Sequence, residues 1–221
     1  LAKRIAAEAF KSAADSALGP VMRAVRTALE ARLGTWRTAG DLTKVASAKT
    51  VVVIADDLEE SHNVLSVRVK DAAVRGRARV LVIGSLRSEL VDFAAAWVRP
   101  HGGEEGLAAA QLADAVKGGN PPAALATAVE ILKAAAPGET MILCAPNPVS
   151  PAVAGSMAAG AANLAVALFG AQASEHLAIL PAEVNVHGLQ DIGVTLAGGP
   201  DPLAGLAGLL VVREDPTMRL P

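Results

Sequence analysis

Two short apolar runs rich in β-branched residues constrain this chain's fold more than anything else in it: Val51-Val52-Val53-Ile54 and Val80-Leu81-Val82-Ile83. Between them lies an acidic turn, Ala55-Asp56-Asp57-Leu58-Glu59-Glu60-Ser61-His62-Asn63. A helical pattern over Asn63–Arg77 follows, with Leu65, Val69 and Ala72-Ala73 on one face and Arg68, Lys70, Asp71 and Arg75 on another. Strand, turn, helix and strand in about 35 residues is the length of a parallel βαβ crossover. Strands apolar on both faces suit a sheet covered on both sides. Ligands of such sheets sit at the carboxyl ends of the strands. The positions after Ile54 and Ile83 are therefore the first place to look for function.

The rest of the chain continues the alternation. Leu1–Leu33 reads as helix in one or two pieces, with Gly19-Pro20 as a breaker. Gly34–Lys49 reads as a loop with a helical turn around Asp41–Val45. Thr50–Ala55 and Arg79–Gly84 are the first two strands, Ser88–Ala96 a short helix and Ala96–Arg99 a short strand. Helices are expected over Gly106–Val116, Ala123–Ala136 and Ala152–Gly170, with Pro122 placed to open the second. Further strands are expected at Thr140–Cys144, His176–Leu180 and Gly208–Val212, with a glycine-rich loop over Val184–Gly199. The predicted fold class is α/β: doubly wound, mostly parallel sheets in two Rossmann-like halves. The halves are residues 41–118 and 119–221, after a helical segment at 1–40. A start inside a helical pattern and a stop just after a strand read as a piece of something longer.

An apolar content of 52% in 221 residues brings a membrane protein to mind. Yet no run of roughly 18 residues reads as an uncharged spanning helix. Ala152–Gly170 comes nearest, and Gly155, Ser156, Gly160, Asn163 and Gly170 interrupt it, so a buried core helix is expected. A net charge of −2 gives no electrostatic footprint for nucleic acid, and 2% aromatics without tyrosine give no base-stacking platform. The single cysteine, Cys144, excludes disulfides within the chain and cysteine-ligated clusters. It follows Met141-Ile142-Leu143 in a strand pattern and reads as a buried, inert thiol.

The common phosphate cradles, GxGxxG and GxxxxGK[ST], are absent, as is the GxSxG elbow. His62, His101, His176 and His187 lack the spacing of helical metal sites. His62 reads as a cap or surface residue, and His176 as structural. The cluster Asp56-Asp57 and Glu59-Glu60 offers carboxylate oxygens to a hard cation. It equally stabilises a helix N-terminus, with Ser61 or Asn63 as cap, and this structural reading is preferred. Four carboxylates at the strand mouth would repel a phosphate. The loop Asn185–Gly193 holds glycines at 188 and 193, suited to positive φ. It reads either as a ligand-approaching loop of a nucleotide-binding module or as an ordered connection with an Asx turn.

Four stretches resemble a known family. They are Val52–Arg68; Leu81–Pro100, ending in Val98-Arg99-Pro100; Ile179–Gly193, with Asn185-Val186-His187-Gly188; and Leu209–Pro216, ending in Arg213-Glu214-Asp215-Pro216. In order and character they resemble the molybdopterin oxidoreductase superfamily, in the version carried by the large iron–sulfur subunit of NADH:quinone oxidoreductase, respiratory complex I. The resemblance spans about Asp41 to Pro221; Leu1–Leu33 matches no motif. It implies that Ala55, Asp57, Gly84, Asn185, Gly188 and Asp215 occupy positions of a vestigial cofactor site. Where pterin-binding relatives have glycine and proline after the first strand, this chain has Ala55 and Leu58. In place of their Asp-Pro-Arg after the second, it has Gly84-Ser85-Leu86-Arg87, and Arg213 replaces a glycine. The resemblance therefore implies a structural, scaffolding part of the peripheral arm of a proton-pumping respiratory complex, without catalytic, cofactor-binding or metal-binding residues of its own. Iron–sulfur clusters are then expected elsewhere in the parent assembly. Its partners would be other subunits of a multi-subunit electron-transport complex, at the cytoplasmic side of the inner membrane, with no nucleic acid and no direct membrane insertion. The alternative is a fragment of a pterin-dependent molybdenum or tungsten oxidoreductase, such as a formate dehydrogenase.

Overall fold

The computed structural model describes residues 18–39 and 42–182. Its centre is a five-stranded, wholly parallel sheet: β1 (Thr50–Ile54), β2 (Arg79–Ile83), β3 (Ala96–Val98), β4 (Thr140–Cys144) and β5 (Leu177–Ile179). The spatial order is β3-β2-β1-β4-β5, so the chain reverses its direction of travel across the sheet between β1 and β4. This is the doubly wound α/β architecture read from the sequence. Thr50 pairs with both Arg79 and Thr140, and Ile54 with both Ile83 and Cys144. Strands from either side of residue 118 thus share one sheet. The expected fifth strand at Gly208–Val212 lies outside the described residues.

Period-two alternation divides the strand side chains between two cores. Val52, Ile54, Leu81, Ile83, Ile142 and Cys144 face one layer of helices. That layer holds α1 (Leu18–Leu33), α4 (Glu105–Val116), α5 (Ala126–Lys133) and α6 (Pro151–Phe169). Val51, Val53, Val80, Val82, Met141 and Leu143 face the other side, covered by α3 (Asn63–Val74) and by 3-10 turns at Leu42–Ala46 and Glu89–Phe93. The short helices α2 (Leu58–Ser61) and α7 (Ala173–His176) complete the set.

The interrupted apolar run proves to be α6, whose small residues serve close packing. A Cβ on Gly160 would stand 2.2 Å from the Gly106 carbonyl oxygen of α4, and one on Gly106 would stand 2.2 Å from the Ser156 carbonyl oxygen. On its other flank Gly155 lies against Ala24 of α1. By length and composition the run Pro151–His176 could also cross a membrane, but here it is packed between two helices and the sheet.

Several boundaries differ from the sequence reading. The acidic turn itself contains α2, capped by Asp57, and the helix expected over Asn63–Arg77 begins at Asn63 as α3 but ends at Val74. The pattern predicted over Ala123–Ala136 is a 3-10 turn at Ala123–Leu125 followed by α5, and the short helix expected over Ser88–Ala96 is a 3-10 turn at Glu89–Phe93. Gly19-Pro20 falls in the first turn of the described helix, where proline's missing N–H leaves no intrahelical bond unmade. The outer rim of β5 is partly covered. Ala39 N–H donates to Leu177 O at 2.8 Å, and Ile179 N–H to Thr38 Oγ1 at 3.3 Å. That covering keeps part of the strand edge from pairing with another chain.

Candidate functional site

The loops after β1 and β4 flank the reversal point, where an open parallel sheet leaves a crevice for ligands. A cleft of about 780 Å³ opens there, lined by Ala55, Asp56, Asp57 and Glu60 from the β1 side and by Pro146 and Asn147 from the β4 side. Leu86 borders it, standing exposed after β2. Leu58, which stands where pterin-binding relatives have proline, turns into the core at 2% exposure.

Each strand hands on its last hydrogen bond to the residue beyond it. Ala55 N–H donates to Ile83 O, Ala145 N–H to Ile54 O, and Gly84 N–H to Val98 O. The loops after β1 and β2 consequently lie back to back: a Cβ on Gly84 would be 2.3 Å from the Ala55 carbonyl oxygen. Only glycine fits at position 84, and Trp97 Nε1–H fixes its carbonyl at 2.9 Å. Between Ala55 and Gly84 themselves the contact is backbone against backbone, and the cleft opens beside it.

Helix N-termini at strand mouths are the usual anion cradles, because their first N–H groups lack intrahelical partners. Here the chain supplies its own acceptors. Asp57 Oδ1 takes the N–H groups of Glu59 at 2.9 Å and Glu60 at 3.1 Å. At the β4 mouth Asn147 Oδ1 takes those of Val149 and Ser150, each at 2.9 Å, and Ser150 Oγ takes that of Val153 at 3.4 Å. Pro151, the first residue of α6, has no N–H to offer. Across the cleft, Asn147 Nδ2–H donates to Asp56 Oδ2 at 3.1 Å, tying the two mouths together.

Asp57 thus caps α2, a helix the sequence reading did not expect, and neither Ser61 nor Asn63, the candidate caps for the helix that follows, caps α3, whose N-cap position is His62. Ser61 Oγ donates back to the Asp57 carbonyl at 2.8 Å, and Asn63 begins α3. The His62 side chain makes no cap hydrogen bond. Its Nε2 lies 3.0 Å from the Pro181 carbonyl and its Nδ1 lies 2.9 Å from Ser61 Oγ, so the ring pins the chain leaving β5 to the α2–α3 junction. His176 sits 3.0 Å from the Thr140 carbonyl and stacks on Phe169, a structural placement. Cys144 is fully buried, and loss of solvent pushes its thiol up to about 12.

Lys70, half-buried, reaches Glu59 at 2.7 Å and Glu89 at 2.8 Å. Burial works against its charge, but the two carboxylates outweigh it and hold its pKa above the ordinary value. Glu59 is thereby committed to a structural pair. Arg87, the residual arginine of the second motif, pairs with Asp92. Among the described residues no group of three or more His, Cys, Asp and Glu side chains is arranged to hold a metal ion.

Of the positions that the resemblance marks, the structure brings Ala55, Asp57 and Gly84 to one end of the sheet. Asn185, Gly188 and Asp215, like His187 and Arg213, lie outside the described residues. Sequence reasoning missed Asn147 and Ser150. Ser150-Pro151, a capping residue followed by proline at the first helical position, was the available signal. Neither family models nor curated proteins give a match to this chain.

Proposed function

We propose that this chain is a structural part of the peripheral arm of a NADH:quinone oxidoreductase of the complex I type, a molybdopterin-oxidoreductase-like domain that has lost its own active site. One observation carries the reading: both helix N-termini at the reversal point are capped by the chain's own Asp57 and Ser150, and Asn147 takes up the N–H groups of the turn before the second. A cofactor pyrophosphate would have to displace those acceptors and also face Asp56 and Glu60, which line the cleft. Positions that would approach a cofactor are used for packing, as with Gly84 against Ala55. The sequence resemblance is what supports the family, and the capped helix ends are what support the loss of an active site. Redox chemistry then belongs to other parts of the assembly.

The test is whether the native protein co-migrates with a multi-subunit, iron–sulfur-containing membrane complex. Co-migration with NADH:quinone reductase activity is expected, and a free protein of its own size would sink the idea. A second reading, a pterin-dependent oxidoreductase fragment, is favoured by the cleft of about 780 Å³. Metal analysis of the native protein separates the two. Molybdenum or tungsten with an extractable pterin establishes the second reading and removes the first.

A further inference from the structure

The second face of the sheet carries a feature that the vestigial site does not explain. Between α3 and the turn Leu42–Ala46 lies a groove of about 540 Å³, lined by Leu42, Ala46, Val64, Leu65, Leu180 and Arg68. Its apolar lining continues onto the outside of α3. Val64 is 77% exposed, Val67 49% and Val74 63%. Their spacing, i, i+3 and i+10, sets them within about 80° of one another around the helix axis. The inner side of α3 is already committed to the core through Leu65, Val69 and Ala72. A helix covering one sheet face normally turns charge outward. Valine there favours neither helix formation nor solubility, since its branched Cβ loses rotamer freedom in a helix.

Among the described residues the charge lining the groove is basic, and Asp71, which lies within the valine stripe, is paired with Arg75 at 3.6 Å. Arg68 lines the groove, is exposed and makes no ion pair among the described residues. Lys44 stands exposed on the facing turn, and among the described residues no carboxylate lines the groove. In a chain whose net charge is −2 this positive rim is local. We infer that the groove and the valine stripe form the docking site for an amphipathic helix of a neighbouring protein subunit, with an apolar stripe bordered by carboxylates that meet Arg68 and Lys44. Apolar side chains enter the groove as anchors at helical spacing, and the charges set orientation and register. The inference rests on the scaffold reading for its neighbour, while the recognition chemistry belongs to this chain alone.

The full chain is titrated by fluorescence anisotropy with a labelled amphipathic helical peptide about five turns long, its leucine stripe flanked by glutamates. The comparison peptide has lysine at every glutamate. Tighter binding of the glutamate peptide by about tenfold or more is expected. Val67→Glu should remove it and Arg68→Glu should reverse the preference. Both side chains are exposed, so thermal melts of the two variants should match the parent. Equal binding of the two peptides, binding of neither, or affinity unchanged in both variants overturns the proposal. So does a concentration-dependent dimer that Val67→Glu dissolves, because the occupant is then a second copy. Peptide binding without co-migration leaves the docking site standing and removes the respiratory reading. Co-migration undiminished by Val67→Glu does the reverse.

Discussion

Cys144 ends β4 in the middle of the sheet, where no solvent reaches it and burial raises its thiol to about 12 from an ordinary value of 9.0. The folded state therefore holds this proton more tightly than the unfolded chain does. The sign follows: its contribution to stability is fully present below about pH 9 and is lost as pH climbs from there toward 12. At pH 8 the native protein is expected to resist iodoacetamide, and to be alkylated at an ordinary thiol rate once urea unfolds it. A chain alkylated equally fast in both states would show that β4 opens readily. A strand-ending cysteine after three apolar residues was readable as buried from the sequence. Asp57 was not readable as the cap. Four carboxylates and two further capping residues compete within eight positions, and only the backbone geometry, extended at Asp57, selects among them. The sequence likewise located Ala55 and Gly84 at the strand mouths. Their mutual contact depends on the β1–β2 register, which is a tertiary fact.

At the scale of elements, the strands were the most legible. Short β-branched runs bounded by polar residues give a sharp signal, and Thr140–Cys144 matches its expected bounds. Helix boundaries were less so, because alanine-rich stretches favour helix without saying where it starts, and 3-10 turns leave no periodic mark. The pair α4–α6 shows what composition can and cannot tell. Glycines within an alanine-rich helix point to close packing, but not to its partner. The structure pairs Gly160 with Gly106 across a backbone-to-backbone contact. Gly160→Ala gains helix propensity worth about 1 kcal/mol. Its Cβ would sit 2.2 Å from the Gly106 carbonyl oxygen, so the helices must part or slide. Overpacking of this kind costs about 1–3 kcal/mol, and more where backbone must move, so the clash should win. A net loss of stability is expected from urea unfolding. Gly138→Ala meets nothing within 4 Å and should be near neutral. A more stable Gly160→Ala protein would mean that α4 and α6 do not cross as closely as described.

The order of strands is what the sequence could least convey, since it is decided by pairing between residues about 90 apart. Local patterning makes 41–118 look like a unit, with strand, helix and strand in succession. Yet β1 hydrogen-bonds to β4 along its whole length, from Thr50–Thr140 to Ile54–Cys144. The α4 backbone seats against α6, and α1 packs on α6 from more than a hundred residues away. Separating the chain after residue 118 would strip β1 of one neighbour and expose the side chains it shares with β4 in both cores. Each buried valine, leucine or isoleucine so exposed forfeits about 1.5–3 kcal/mol. A few such residues already match the whole margin of a typical domain, about 5–15 kcal/mol. Neither piece is therefore expected to fold alone. The intact chain should lose its far-ultraviolet dichroism and its native Cys144 protection in one urea transition. Two separated transitions, or a folded 41–118 fragment with protected β1 and β2 amides, would show instead that the βαβ unit carries its own stability and that β4 joins a sheet already formed.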